Sequence, residues 1–152
     1  MFTREVLGLR EVQVAVEAIL EEASKDPGKP ISVAIVDHQG EIVCAARMDG
    51  ALPMYNYMAL KKAKSSATTG KNTRAWFEFL GKRNYTAHDF VPDATRIPGG
   101  MAIVKPGGES VADARLGENV VYGGIGVSGR SGNEDEALSI IGLEALQRAV
   151  WG

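Results

Sequence analysis

The stretch Gly123-Gly124-Ile125-Gly126-Val127-Ser128-Gly129 decides how this chain folds. It predicts a strand that ends in a glycine turn, followed by a helix that Asn133 caps, with Glu136 at the capping-box position. Glycine is favoured where the backbone turns sharply or where another group approaches closely. We therefore expect another helix, another subunit or a ligand to pack against this strand.

Three of these glycines also match the G-x-G-x-x-G fingerprint of dinucleotide-binding proteins. A nucleotide site is rejected, because Glu134, Asp135 and Glu136 at the start of the next helix would repel a pyrophosphate. No Gly-Lys-Ser/Thr sequence follows the glycines, which argues against a P-loop. The pattern favours a tight strand-to-helix connection in a close-packed domain.

Composition and charge describe an ordinary globular protein. With 152 residues, 45% hydrophobic residues and a net charge of -2, the chain is expected to form one domain over residues 1–152. It has no basic cluster and no run of eighteen apolar residues, so neither nucleic acid nor a membrane is expected as a partner. The N-terminal residues do not resemble a signal peptide, and Cys44 is the single cysteine. We therefore expect a cytoplasmic protein.

Hydrophobic periodicity and turn signals predict an α+β fold. A hairpin turn at 37–40 joins the first two predicted strands, which favours a mainly antiparallel sheet with helices packed on it. Residues 81–97 are expected to form a long irregular stretch, and residues 109–119 an excursion between strands. The predicted helices are 4–24 (with Thr3 as N-cap), 54–69, 73–80 and one from 133 onward, and the predicted strands are 31–36, 41–48, 101–104 and 119–127.

The second predicted helix carries a stripe of small residues. Residues at helical spacing on one face are Ala59, Ala63, Ser66, Ala67 and Gly70. Such a face allows the helix to lie very close to a sheet or to another helix, in the same subunit or in a neighbouring one. Lys62 falls beside the stripe and is a candidate to point into a cleft, whereas a solvated face is the alternative for the lysines of this helix.

Three segments, in order, resemble a known protein family. The first contains Val-Ala-Ile-Val-Asp at 33–37, Gly40 and Arg-Met-Asp-Gly at 47–50. The second is Ala-Leu-Lys-Lys-Ala at 59–63. The third joins Pro-Gly-Gly at 98–100 to the glycine strand and to Asp-Glu at 135–136. Together they resemble the GlcG/HbpS family, which includes the C-terminal domain of PduO, over about residues 5–150.

The resemblance implies a profilin-like fold with a five-stranded antiparallel sheet, and assembly into homo-oligomers. It also implies binding of a small-molecule ligand, with two candidate functions. Some members bind haem, and others lie in small-molecule catabolic pathways, including a lyase that acts on a hydroxylaminobenzoate. The connection at 107–119 is longer than the usual hairpin of the family, and the stretch 81–97 is also unusual. Both are candidates for a specific pocket or a subunit contact.

Haem requires an axial ligand, and the sequence contains two histidines, His38 and His88. His38 lies in the predicted hairpin turn and is expected to be solvated. His88 lies in the long loop with Tyr85 and Phe90, and it is the better candidate for the haem iron. A structural role is the alternative for His88, and Tyr or Met side chains can also ligate haem. The spacing of the histidines does not match a zinc site, and no C-x-x-C-H motif for covalent haem occurs.

The alternative function is a cofactor-independent, lyase-type enzyme acting on a small aromatic acid. Lys62 would act as electrophile or acid, and His88 or Tyr85 would transfer protons. The candidate ligand-binding residues, which include arginines suited to a carboxylate, are Arg47, Asp49, Tyr57, Lys62, Arg96, Gly99, Gly100 and Gly126. No catalytic triad or carboxylate pair is visible, and a structural partner protein without a ligand is a third hypothesis.

Overall fold

The structure of the chain, a computed structural model, describes residues 1–107 and 120–152. In these ranges it contains four α-helices, four strands and one 3-10 turn. In chain order these are α1 (Leu9–Ala23), β1 (Ser32–Asp37), β2 (Ile42–Arg47), α2 (Pro53–Thr69), α3 (Thr73–Arg83), the 3-10 turn (Ala87–Asp89), β3 (Gly100–Ile103), β4 (Gly123–Ser128) and α4 (Gly132–Trp151). None of the helices in the described ranges is long and apolar enough to cross a membrane.

The strands form one sheet in the order β2-β1-β4-β3, and each neighbouring pair is antiparallel. The predicted α+β fold with an antiparallel sheet is therefore confirmed. The expectation of five strands is wrong, because the sheet of the described residues has four. The fifth strand was implied by the family resemblance rather than by an additional strand pattern. The predicted excursion at 109–119 lies outside the described residues.

Helices cover both faces of the sheet. Successive side chains of β4 point to opposite faces, so Ile125 and Val127 enter the main hydrophobic core with residues of α1 and α4. Gly124 and Gly126 of β4 face the other way, toward α2. The main core therefore lies between the sheet and the α1/α4 pair, and a smaller apolar cluster of Val36, Ala63 and Ala67 lies under α2.

Helix α1 begins at Leu9, with Gly8 as N-cap, so the prediction of a helix from residue 4 capped by Thr3 was wrong. The preceding residues make tertiary contacts instead. The Arg4 guanidinium donates to the Val121 carbonyl, and Leu7 packs against the main core. Side-chain contacts with distant residues thus override the helical periodicity of this segment.

Helix α4 begins at Gly132 and is capped by Ser131, so the predicted Asn133 cap was wrong. The Ser131 Oγ accepts from the backbone N–H of Glu134 at 3.2 Å. Glu136 takes no part in this cap, because its carboxylate accepts from Arg74 Nε at 2.8 and 3.0 Å. The two-residue error arose because both Ser131 and Asn133 are residue types that favour the N-cap position.

Helix α3 extends to Arg83 rather than ending at residue 80. The 3-10 turn then interrupts the stretch 81–97, which was expected to be irregular throughout. A capping box orders this turn, since Asp89 accepts from the Thr86 backbone N–H at 2.7 Å. The turn positions His88, a candidate residue of the site.

Candidate ligand-binding site

Helix α2 lies directly on the glycine face of β4. A Cβ atom at Gly126 would lie 1.9 Å from the Ala59 carbonyl oxygen, and one at Gly124 would lie 2.0 Å from that of Ala63. Only glycine permits this approach, since any side chain would collide with the helix backbone. Of the three candidates for packing against the glycine strand, the structure therefore shows a helix of the same chain, and Gly126 is buried beneath it.

The Pro98-Gly99-Gly100 turn closes over the Lys62 side chain. Gly99 has a φ of +125°, and a Cβ atom there would lie 2.9 Å from Lys62 Nζ. A Cβ atom at Gly100 would lie 2.6 Å from the Lys62 carbonyl oxygen. The structure thus brings together Lys62, Gly99 and Gly100, three of the predicted site residues, in the interior between α2 and the sheet.

Lys62 forms a buried ion pair. Its Nζ donates to Asp135 Oδ2 at 3.1 Å and to the Val127 carbonyl at 2.9 Å, and both charged residues are 2% exposed. The alternative of a solvated face is wrong for Lys62, whose ammonium is enclosed by protein groups. Burial lowers the pKa of Lys62 and raises the pKa of Asp135, and in each case the opposite charge of the partner counteracts the effect of burial.

Asp135 also stabilises the turn that follows β4, because its Oδ1 accepts a hydrogen bond from the Arg130 backbone N–H at 3.0 Å. The pair therefore connects α2, the end of β4 and the start of α4. Sequence reasoning missed Asp135 as the partner of Lys62, because the two residues are 73 positions apart and no local pattern links them.

An aromatic cluster lies on α3 and the segment that follows it. We define it as Trp76, Phe79, Tyr85 and Phe90. Phe90 makes edge contacts with the other three rings at centroid distances of 5.3 to 5.9 Å. Trp76 is buried, whereas Tyr85 and Phe90 are each 49% exposed. The cluster therefore presents aromatic surface to solvent.

Cationic side chains border the aromatic cluster. The Arg83 guanidinium lies 4.0 Å from the Phe79 ring centroid, and Lys71 Nζ lies 5.2 Å from it. Arg96 lies 5.2 Å from the centroid of Phe77, the neighbouring ring of α3. Phe79 and Arg83 are four residues apart in a helix, a spacing that could have revealed their contact from sequence.

His88 is exposed on the 3-10 turn, and its Nδ1 lies 2.8 Å from the Pro92 carbonyl oxygen. A carbonyl oxygen can only accept a hydrogen bond, so Nδ1 is the donor of this contact, and Nε2 is the ring nitrogen that remains available. His38 differs, since it is half-buried and its Nδ1 is shielded from solvent, so the expectation that it is solvated holds only in part.

The remaining candidates lie near the end of β2 and on α2. Arg47, Asp49 and Tyr57 are exposed. Arg47 pairs with Ser32 across the sheet, and the Ser32 hydroxyl donates to Asn56 Oδ1 at 2.7 Å. The predicted residues therefore fall into three regions: an interior group around Lys62, the aromatic cluster with His88, and this exposed group beside β2.

The described residues contain no group of three or more His, Cys, Asp or Glu side chains that could hold a bare metal ion. A ligand that brings its own coordination, such as a porphyrin, requires only one or two protein ligands.

Comparison with known proteins identifies relatives of this chain. Residues 7–144 match the family described as haem degrading protein HbpS-like. Protein GlcG of Escherichia coli K12 is 28% identical over 107 residues, which cover 70% of this chain and 78% of GlcG. A double mutant of Streptomyces reticuli HbpS is 29% identical with a TM-score of 0.78, over 100% of this chain and 91% of that chain.

A PduOC:heme complex shares the fold, with a TM-score of 0.75 and 21% identity over 93% of this chain and 95% of that chain. These similarities agree with the family resemblance found in the sequence motifs. The chain belongs to the HbpS-like family.

Proposed function

We propose that this protein is a haem-binding protein of the HbpS type, with His88 as an axial ligand of the iron. The observation that carries the proposal is the contact of His88 Nδ1 with the Pro92 carbonyl at 2.8 Å. Metal-ligating histidines commonly donate their other ring N–H to a carbonyl, which fixes the tautomer and the ring orientation. The Nε2 of this exposed ring is the nitrogen that would bind the iron.

The surroundings of His88 suit the other parts of a haem. The half-exposed rings of Tyr85 and Phe90 provide apolar surface for the macrocycle. Arg83, which lies over the Phe79 ring of the cluster, provides a guanidinium group of the kind that pairs with a propionate carboxylate. Bound haem would supply a redox-active iron centre, which the protein tunes through its axial ligand and the polarity of the pocket. The haem named in the family description and in the PduOC relative supports the same ligand.

The proposal includes assembly into a homo-oligomer, as the family resemblance implies. The small-residue surfaces do not provide the subunit contact, because α2 and β4 use them against each other within one chain. Any contact between copies must therefore involve another surface.

A lyase-type enzyme acting on a small aromatic acid is the second candidate. Arg96 beside the Phe77 ring favours it, since this pair could hold an aromatic carboxylate. The proposed catalytic set is less favourable, because Lys62 is enclosed with Asp135 whereas His88 and Tyr85 are exposed. Loss of turnover of an aromatic acid in His88→Ala, with the melting temperature of the wild type retained, would support this candidate over haem binding.

A haemin titration followed by absorbance tests the first candidate. We expect a saturable, near-stoichiometric Soret shift with the wild type, and loss of the shift with His88→Ala. His38→Ala is the matched control, because it removes the other histidine of the chain, and it should retain the shift. A wild type without a specific shift, or a His88→Ala variant that titrates like the wild type, would refute the proposal.

A further inference from the structure

The segment that carries His88 is anchored at both of its ends. Upstream, Asn84 ends α3 in the left-handed conformation, with a φ of +56°. Downstream, the Thr95 N–H donates to the hydroxyl of Ser65 on α2 at 2.7 Å, and Thr95 is buried. Most of the residues between these anchors are exposed, so hydrogen bonds within the segment must offset the entropy lost on ordering it.

Asp89 closes the turn on which His88 lies. Its Oδ2 accepts from the Thr86 backbone N–H at 2.7 Å and from the Thr86 hydroxyl at 3.1 Å. In return, the Asp89 N–H donates to the Thr86 carbonyl at 3.1 Å. His88 lies between these two residues in the chain, so the three hydrogen bonds fix the backbone from which its imidazole extends.

The carbonyl that the imidazole contacts is fixed separately. His88 Nδ1 lies 2.8 Å from the Pro92 carbonyl oxygen. The proline ring restricts the φ angle of Pro92, and the Ala94 N–H donates to the Val91 carbonyl at 3.2 Å, which closes a turn around it. This carbonyl therefore has a defined position, and the imidazole meets it only if the backbone at His88 is held as well.

Phe90 holds the other side of the turn against α3. Its ring makes edge contacts with Trp76 and Phe79 at centroid distances of 5.3 and 5.9 Å. These contacts fix where the turn lies on α3. They do not fix the direction of the imidazole, because His88 precedes Phe90 by two residues and the intervening backbone is held through Asp89.

We propose that Asp89 is a positioning residue for His88: its contacts with Thr86 hold the turn so that Nδ1 meets the Pro92 carbonyl and Nε2 is left available to a ligand. The role of His88 as an axial ligand rests on the proposed function. The positioning itself exists before haem binds and can be measured without it. Asp89 acts through His88 and is assigned no contact with the haem.

Nitrogen-15 NMR of the histidine rings in the haem-free protein tests the positioning. At a pH about two units above the ordinary His pKa the ring is neutral, and the chemical shifts of its two nitrogens report which one carries the proton. We expect His88 of the wild type to carry it mainly on Nδ1. Asp89→Ala should move His88 toward a mixture of both tautomers. The melting temperature should stay close to that of the wild type, because local disorder of an exposed segment does not open the core.

A haemin titration of the same variants measures the consequence for binding. When a ring is correctly placed for only a fraction of the time, the apparent Kd rises by the inverse of that fraction. We expect Asp89→Ala to weaken haemin binding by about fivefold, the size of one lost capping interaction. The Soret maximum at saturation should match that of the wild type, because His88 remains the ligand.

Two further variants separate positioning from charge. Asp89→Glu is the rescue variant, because Thr-x-x-Glu is a common capping box, and it should retain the tautomer and the haemin affinity of the wild type. Asp93→Ala is the matched control. It removes an exposed carboxylate of the same segment that forms no hydrogen bond or ion pair among the residues the structure describes, and it should behave like the wild type.

A wild-type His88 with its proton mainly on Nε2 would overturn the positioning role, and so would an Asp89→Ala variant with the tautomer and the haemin affinity of the wild type. An equal loss of affinity in Asp93→Ala would also overturn it, since charge alone would then explain the effect. Haem binding fails separately: a wild type that binds no haemin, together with the tautomer change in Asp89→Ala, would refute the proposed function and support the positioning of His88.

Discussion

Gly126→Ala tests whether glycine is required in β4 for the close packing of helix α2. The added Cβ atom would lie 1.9 Å from the Ala59 carbonyl oxygen, 2.7 Å from the Ala63 nitrogen and 2.9 Å from the Ala59 carbonyl carbon. All three are backbone atoms of one helix, so no side chain can rotate to make room. Ordinary van der Waals contact begins near 3.4 Å, and the helix must therefore retreat locally by about 1.5 Å.

Such a retreat would loosen the packing of α2 on β1, β3 and β4 together. Overpacking of a well-packed site costs about 1–3 kcal/mol, and we expect the upper end of this range because the obstacle is backbone. For a chain of this size, a loss of about 3 kcal/mol lowers the melting temperature by about 6–12 °C. Thermal unfolding followed by circular dichroism measures the change.

Gly81→Ala is the control. Gly81 lies in α3, and a Cβ atom there would meet nothing within 4 Å. The same substitution should therefore stabilise the protein by about 0.5–1 kcal/mol through helix propensity. A Gly126→Ala variant that melted within about a degree of the wild type, while Gly81→Ala behaved as expected, would show that α2 does not need glycine at this position.

Two further predictions concern α4. Lys62→Met leaves the Asp135 carboxylate buried without its cation, so urea unfolding at neutral pH should show that the free energy of unfolding falls by about 3–5 kcal/mol. Lys61→Met, at a half-exposed position of α2, is the control and should change the free energy of unfolding little. Burial raises the pKa of Asp135, so the folded variant binds a proton on this carboxylate at a higher pH than the unfolded chain does. The loss in the free energy of unfolding should therefore shrink as the pH falls through the raised pKa. A loss that does not depend on pH would show that the buried charge is not its cause. Ser131→Ala should cost about 1 kcal/mol through the lost N-cap, and an equal or larger loss with Asn133→Ala would contradict the assignment of the cap.

Local signals in the sequence were sufficient for much of the fold. The β1–β2 hairpin was predicted from β-branched runs on either side of the turn at 37–40, and the structure confirms it. The close approach at the glycine strand was predicted because glycines recur on alternate residues of β4, where one face of a strand repeats. The same signals misplaced the starts of α1 and α4, since Arg4 and Ser131 are fixed by particular contacts rather than by periodicity.

The candidate site depends on contacts between distant parts of the chain. His88, Tyr85 and the family motifs could be identified as candidates in the sequence, because their residue types suggest chemistry. The ion pair of Lys62 with Asp135 could not be predicted from the sequence, since the two side chains meet only when α2 and α4 pack against the sheet.

The sequence by itself thus determined the elements, the antiparallel pairing and the family, which depend on periodicity, turn residues and short motifs. Only the tertiary structure decided which group fills the glycine face, which carboxylate pairs with Lys62 and which candidates face solvent. Those features depend on burial and on hydrogen bonds between residues far apart in the chain, and no local pattern encodes them.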